Sequence, residues 1–224
     1  MRKDLRFGII GWGYWGPKIA RNLDGLSNAS VAIVADLDPN RLLAITANQP
    51  WIKTTTNIQD VFTSDVDGVV IATPVRTHYR LAQEALLSGK HVLVEKPLTA
   101  SVVEAEELVA LAREKQRILM VGHTFEYSPA VNELRKLVQS GDLGKIYCVE
   151  AERVNLGLFR SDINVIWDLA PHDVSILLYL FGKIPQSIKV QAHAHIQSQI
   201  CDIAHLDLDF ADEMTAHIHV SWLH

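Results

Sequence analysis

The stretch FGIIGWGYWGPKIA, residues 7–20, constrains this chain more than any other. An apolar run stops at Gly11, glycines recur at 13 and 16, and Pro17 opens a helical pattern. A G-x-G-x-x-G turn between strand and helix has a specific use. Gly11 permits the tight turn, Gly13 lets the backbone approach a pyrophosphate, and Gly16 lets helix and strand pack closely, so that an anion sits on the helix N-terminus. The whole turn, with Trp12, Tyr14 and Trp15, is therefore a candidate cofactor-binding element.

The next hundred residues have the rhythm such a turn needs. Short apolar runs (7–10, 31–35, 69–72, 91–94, 118–121) alternate with helical patterns (17–26, 39–47, 58–62, 77–87, 102–115). The strands are continuously apolar, which burial on both faces by crossover helices requires. Residues 1–123 thus predict an α/β domain with a Rossmann-type, doubly wound parallel sheet.

The pattern changes in 124–224. A helix over 129–139, closed by Gly141, precedes a long strand over 145–155, an irregular polar segment, the apolar helix of INVIWDLAPHDVSILLYLFG, and strands over 187–197, 203–210 and 215–222. The last alternates His217, His219 and Ser221 with Ile218, Val220 and Trp222, the period of a sheet with one wet face. This predicts a second, α+β domain with an open, mainly antiparallel sheet.

The second strand ends in VAIVADLD, putting Asp36 about 20 residues beyond the last glycine, where a carboxylate accepts the adenosine ribose hydroxyls. A carboxylate there repels a 2′-phosphate, and Leu37 follows it, so NAD is favoured over NADP. Asp38, ahead of PNRL, reads as a turn starter. In an open α/β sheet ligands lie beyond the strand carboxyl ends, which adds Thr73 and Pro74 of ATPVRTHY, and Glu95, Lys96 and Pro97 of VEKP, to the rim. An ammonium at Lys96, close to an oxidised nicotinamide, would lose proton affinity and could exchange a proton with an alcohol.

Composition removes several classes of partner. A net charge of −5, from 21 basic and 26 acidic residues without a dense Lys/Arg run, argues against nucleic acid. No apolar run approaches the roughly 20 residues that span a bilayer, and the N-terminus MRKDLRFG has no signal-peptide pattern. Cys148 and Cys201 fit neither a metal knuckle nor a redox pair, so a reduced cytoplasmic setting is expected. His193 with His195, and His217 with His219, share strand faces, but no carboxylate or thiol completes a metal set at ligand spacing. No metal is expected.

Taken in order, GWGYWG, AD, ATPVRTHY, EKP and Asp168-x-x-x-His172 resemble the Gfo/Idh/MocA oxidoreductases over nearly the whole chain. The resemblance implies a catalytic group of Lys96, Asp168 and His172. It places Gly11, Gly13, Gly16, Asp36, Thr73, Pro74 and His78 along the dinucleotide, with Glu95 at its ribose. NVIWDLAPHDVSILLYLFG is similar to the branch of UDP-N-acetylglucosamine 3-dehydrogenases, which implies a sugar or nucleotide-sugar substrate oxidised at a ring hydroxyl. It also implies a homo-oligomer paired through the exposed sheet face.

The residues themselves are compatible with this chemistry. Positions i and i+4 share a helix face, so Asp168 can orient the His172 imidazole while it takes an alcohol proton, and either Lys96 or His172 can be the principal base. Asp168 is equally a good N-cap, with Pro171 suited to a first turn. Arg153, Asn155, Arg160 and Asn164 offer donors; Arg153 or Arg160 could fork a diphosphate or be surface-loop residues. His123 and Tyr127 are further substrate-side candidates. Family chains continue past HVSWLH with strands that complete the second sheet, so a shortened chain with an open sheet edge is expected. Two alternatives to the enzyme are a non-catalytic NAD-binding regulator and an inactive truncated relative.

Overall fold

A computed structural model describes residues 4–157 and 159–224. The basic residues Arg2 and Lys3 lie outside them. The chain divides between Gly122 and His123 into two compact units.

The first unit carries a six-stranded, all-parallel sheet in the order β3-β2-β1-β4-β5-β6. Its strands are β1 (Leu5–Ile10), β2 (Ala29–Ala35), β3 (Lys53–Thr55), β4 (Gly68–Ile71), β5 (His91–Val94) and β6 (Leu119–Val121). The helices are α1 (Gly16–Asp24), α2 (Pro39–Asn48), α3 (Gln59–Phe62), α4 (His78–Leu87) and α5 (Val102–Glu114). Neighbouring strand residues go to opposite cores. Ile9, Val34 and Val70 join Ala20 of α1 and Leu42 and Ile45 of α2, whereas Ile10, Ile33 and Ile71 join Val61 of α3, Leu81 of α4 and Leu108 of α5. That two-sided burial is why these strands lack polar alternation.

The β3 strand escapes a periodicity argument: it has three residues, none of them large and apolar, and is held as an edge by β2. In β1 the register with β2 shifts between Phe7 and Gly8, and a Cβ on Gly8 would lie 2.6 Å from Val61 Cγ1. Glycine at this point lets α3 close on the sheet. Chain order reverses between β1 and β4, so the carboxyl ends of these strands open the topological switch point where α/β sheets take ligands.

The second unit holds α6 (Pro129–Ser140), β7 (Cys148–Val154), α7 (Val165–Phe181), β8 (Ser187–His193), β9 (Ile203–Asp209) and β10 (Thr215–Ser221), with sheet order β7-β10-β9-β8. Gly141 ends α6 in the left-handed region at φ +79°. The sheet is mixed: β10 pairs antiparallel with β9 but parallel with β7. Leu206, Leu208, Ala216, Ile218, Val220 and the fully buried Trp222 pack with Val165, Leu169, Ala170 and Leu177 of α7. The opposite face is wet, with an open depression of about 450 Å³ lined by Glu150, Glu152, His205, Asp207, His217 and His219.

Three local features depart from expectation. The α7 helix begins at Val165, three residues before Asp168, because the Asn164 side chain accepts the Trp167 N–H at 3.1 Å and is the cap. Asp168 therefore sits within the first turn, and Pro171 lies inside the helix. The β8 strand stops at His193, so His195 is off the strand, its Nδ1 2.9 Å from the buried Asp202 carboxylate. The histidines also have acidic neighbours that spacing did not reveal: His217 Nδ1 is 2.6 Å from Asp207 and His219 Nδ1 is 3.3 Å from Glu152. Among the described residues no group of three or more His, Cys, Asp or Glu side chains has metal-binding geometry, and no helix is long and apolar enough to cross a membrane.

Candidate functional site

The glycines of the first turn divide by what they do. Gly11 has φ +99°, and a Cβ there would lie 2.6 Å from the Ala72 carbonyl oxygen; one on Gly16 would lie 2.2 Å from the Gly11 oxygen. Both are demanded by the protein's own packing. Gly13 is different: it is exposed, and the nearest atom to a Cβ would be Arg41 Nη1 at 3.8 Å. Among the described residues no other atom comes within 4 Å of that position. Trp15 precedes α1 without a side-chain cap, so the first N–H groups of a Pro-initiated helix face the turn. This cradle suits a diphosphate, and the flanking Tyr14 and Trp15 rings stand exposed with Lys18 Nζ 3.2 Å from the Tyr14 centroid.

Asp36 directly follows β2 beside this turn and is buried. Its Oδ2 accepts the Trp12 N–H at 2.6 Å and its Oδ1 accepts the Asp38 N–H at 2.9 Å. Two backbone donors hold the carboxylate in one orientation while leaving lone pairs for ribose hydroxyls. The residues present thus fit a dinucleotide. Asp38 is the N-cap of α2, its Oδ1 accepting the Asn40 N–H at 2.9 Å, as a turn-starting aspartate should.

At the ends of β4 and β5 the rim residues are tied to one another. Thr73 Oγ1 lies 2.7 Å from Thr77 Oγ1, and Pro74 is exposed. His78, expected along the cofactor, is 1% exposed and lies beneath the rim. Its Nδ1 is 2.8 Å from the Pro97 carbonyl and its Nε2 is 2.8 Å from the Thr73 carbonyl, so the ring sits between the two loops and, when neutral, donates its one N–H to one of these carbonyls. Burial pulls its pKa down, against the pull of these carbonyls. Glu95 packs on Gly122, where a Cβ would come within 3.2 Å of Oε2. Burial raises the Glu95 pKa, partly offset by the Lys96 N–H and ammonium. Lys96 itself is half-buried.

In the second unit Asp168 and His172 lie in the N-terminal half of α7, and Arg160 and Arg153 reach carboxylates of the same helix. Asp168 is 8% exposed, accepts the Trp222 indole N–H at 3.1 Å and lies 3.7 Å from Arg160 Nη1. Arg160 also forks onto Asp162 with two bonds of 3.0 Å, which raises its pKa. His172 lies one turn beyond Asp168, its ring 5.0 Å from Phe125 in an edge-on contact. The other face of this assembly is Arg153, whose guanidinium forks onto buried Asp173 with two bonds of 2.8 Å and stands 4.5 Å from the Phe125 centroid. The arginines read as diphosphate donors are both paired with carboxylates of their own unit. His123 is half-buried ahead of the short helical turn Thr124–Tyr127; Tyr127 and Asn155 are exposed.

Arg41, Phe125 and Asp173 were not among the sequence-derived site residues. Arg41 had a signal, its place on the first turn of the helix after Asp36. Asp173 stood out as a polar residue beside His172 at the start of an apolar helix, but its pairing with Arg153 had no signal, and Phe125 had none either, because their partners come from distant segments.

Both units are similar to known proteins. Residues 5–123 match the GFO_IDH_MocA description, "Oxidoreductase family, NAD-binding Rossmann fold", and residues 131–224 match the GFO/IDH/MocA C-terminal domain. The chain is 34% identical over 186 residues to UDP-N-acetylglucosamine 3-dehydrogenase of Acidithiobacillus ferrooxidans, covering 83% of this chain and 57% of that protein. It is 29% identical over 222 residues to an inositol 2-dehydrogenase of Corynebacterium glutamicum strain R, covering 92% and 65%. The structure of apo scyllo-inositol dehydrogenase from Lactobacillus casei shares the fold at 18% identity, with TM-score 0.91 over 100% of this chain and 70% of that one. The chain thus spans less than two thirds of the length of these two curated relatives. With both halves matched, the chain belongs to the Gfo/Idh/MocA oxidoreductase family.

Proposed function

We propose that this protein is an NAD-dependent dehydrogenase that oxidises a ring hydroxyl of a sugar or nucleotide sugar. The observation that carries the reading is the pairing of an open Gly13 with an Asp36 carboxylate fixed 2.6 Å from the Trp12 N–H. That pair accommodates a pyrophosphate and selects a ribose with free hydroxyls. The substrate class is supported by relatives named for UDP-N-acetylglucosamine and inositol.

Gly11, Gly13 and the α1 N-terminus would hold the diphosphate, Asp36 and Glu95 the riboses, and Thr73 and Pro74 the nicotinamide half. When bound, NAD supplies the acceptor for the hydride that leaves the carbinol carbon. The chain's own residues handle the proton. Lys96 and His172 supply the general base and the group that polarises the substrate oxygen, and Asp168 stabilises the imidazolium formed on proton uptake. Self-association through the second sheet is part of the same reading.

The test tracks reduced-cofactor absorbance over a panel of UDP-sugars, inositols and simple sugars. Lys96→Ala and His172→Ala should each lower turnover by about 10²–10⁴. Unchanged turnover in both would overturn the catalytic assignment. Tight NAD binding without turnover on any substrate would favour an NAD-binding regulator.

A further inference from the structure

One buried titratable group has no part in the proton chemistry above. His78 opens α4, whose Leu81, Ala82, Ala85 and Leu86 are all buried in the core on one side of the first sheet. Strands β4 and β5 run side by side to Ile71 and Val94, so Thr73 and Pro97 lie just past neighbouring strand ends, with the His78 ring between them. Lys96 directly precedes Pro97.

The two ring contacts differ in what they add. The Thr73 segment is also tied within itself, Thr73 Oγ1 lying 2.7 Å from Thr77 Oγ1, which donates to the Pro74 carbonyl at 2.7 Å. The Pro97 contact instead joins α4 to the loop after β5, 19 positions along the chain. Pro97 is buried and has no N–H, so its carbonyl is its sole backbone hydrogen-bonding group and needs a donor. Burial lowers the His78 pKa, so at neutral pH the ring is neutral and has one N–H to give. The Pro97 carbonyl, at 2.8 Å from Nδ1, is where that donor does most to fix the chain.

We propose that His78 is a positioning residue, which holds Lys96 in place through the Pro97 carbonyl without itself touching substrate or cofactor. This rests on the dehydrogenase reading, in which Lys96 meets the substrate oxygen. A rigid ring at the start of a buried helix sets the backbone beside the lysine, and the diphosphate and adenosine ends of the cofactor are held by other residues. Loss of the ring should therefore act on turnover more than on cofactor affinity.

The test compares His78→Ala, His78→Asn and His78→Gln in the full chain by turnover at saturating NAD and substrate, calorimetric titration with NAD, and thermal melting. An Asn amide nitrogen can stand where Nδ1 stands, facing Pro97, whereas the longer Gln amide reaches the Nε2 position, facing Thr73. His78→Ala should lower kcat by about 10- to 100-fold, the scale of a misplaced catalytic group, while the NAD dissociation constant moves by no more than about threefold. His78→Asn should recover most of the lost turnover and His78→Gln little of it. In a Lys96→Ala background, His78→Ala should cost no further turnover. Should His78→Ala fail to fold, the comparison of Asn with Gln carries the test. Turnover, affinity and melting temperature falling together in every variant would make His78 a core residue only and overturn the proposal, as would Gln recovering more turnover than Asn. If the wild type turns substrate over and the variants match it, only the role of His78 fails. If the wild type turns over no member of the sugar panel, the dehydrogenase reading fails and the proposal falls with it.

Discussion

The Trp222 indole N–H donates to the Asp168 carboxylate across 3.1 Å, joining the residue just past β10 to the first turn of α7. The two lie 54 positions apart, and Trp222 is fully buried. A buried carboxylate needs donors, and this one has the indole and, further off, Arg160. The bond links the core of the second unit to a residue proposed to orient the catalytic imidazole.

Replacing Trp222 by Phe keeps an apolar ring and removes the donor. Loss of that bond should destabilise the chain by about 1–3 kcal/mol in urea denaturation, in addition to the smaller ring's packing loss. A double-mutant cycle with Asp168→Asn isolates the bond. A coupling of zero would show that Asp168 does not depend on the indole.

The Arg153–Asp173 fork behaves differently from a surface ion pair because Asp173 is 6% exposed. Arg153→Ala leaves that carboxylate buried without its counter-charge, which costs about 3 kcal/mol or more; Asp173→Asn together with Arg153→Met should recover part of it. Thermal denaturation of the three chains reads the order. If Arg153→Ala melted with the wild type, the pair would be energetically idle.

Glycines 11 and 13 should separate folding from binding. Gly11→Ala puts a Cβ 2.6 Å from the Ala72 oxygen at positive φ, so its melting temperature should fall. Gly13→Ala meets nothing closer than 3.8 Å, so its melting temperature should hold while affinity for NAD falls. Equal loss of stability in both variants would contradict this division of roles.

Glu95 should make stability depend on pH. Its folded pKa is raised, chiefly by burial, so the unfolded chain releases the proton first as pH rises through the ordinary carboxyl value of about 4.3. Between that value and the raised folded one, the native state binds more protons, so this group's contribution to stability declines with rising pH. Glu95→Gln removes the titration. Its stability relative to wild type should grow from acid to neutral pH in urea denaturation, and a difference independent of pH would refute the assignment.

Local pattern carried much of the architecture. Continuously apolar strands encode burial on two faces, and Ile9 and Ile10 duly enter separate cores. A Pro-initiated helix after three spaced glycines encodes the turn, because the steric demand at Gly11 and Gly16 is set by residues a few positions away or by the neighbouring strand end. Asp36 was legible for the same reason, standing at a strand end at a fixed distance from that turn.

Tertiary structure decided the partners. Periodicity holds no information on which distant donor meets which acceptor, so it could not tell that Arg153 pairs with Asp173, that His78 bridges the Thr73 and Pro97 carbonyls, or that Asn164 rather than Asp168 caps α7. Nor could it place β10 parallel to β7, since strand order depends on burying the α7 face, a property of the whole unit. The sequence by itself determined most of the elements, though not β3, together with the two-faced first sheet and the glycine cradle, all short-range consequences of side-chain size and polarity. Only the folded chain decided which charges are masked, because burial and pairing exist only once segments far apart in sequence have met.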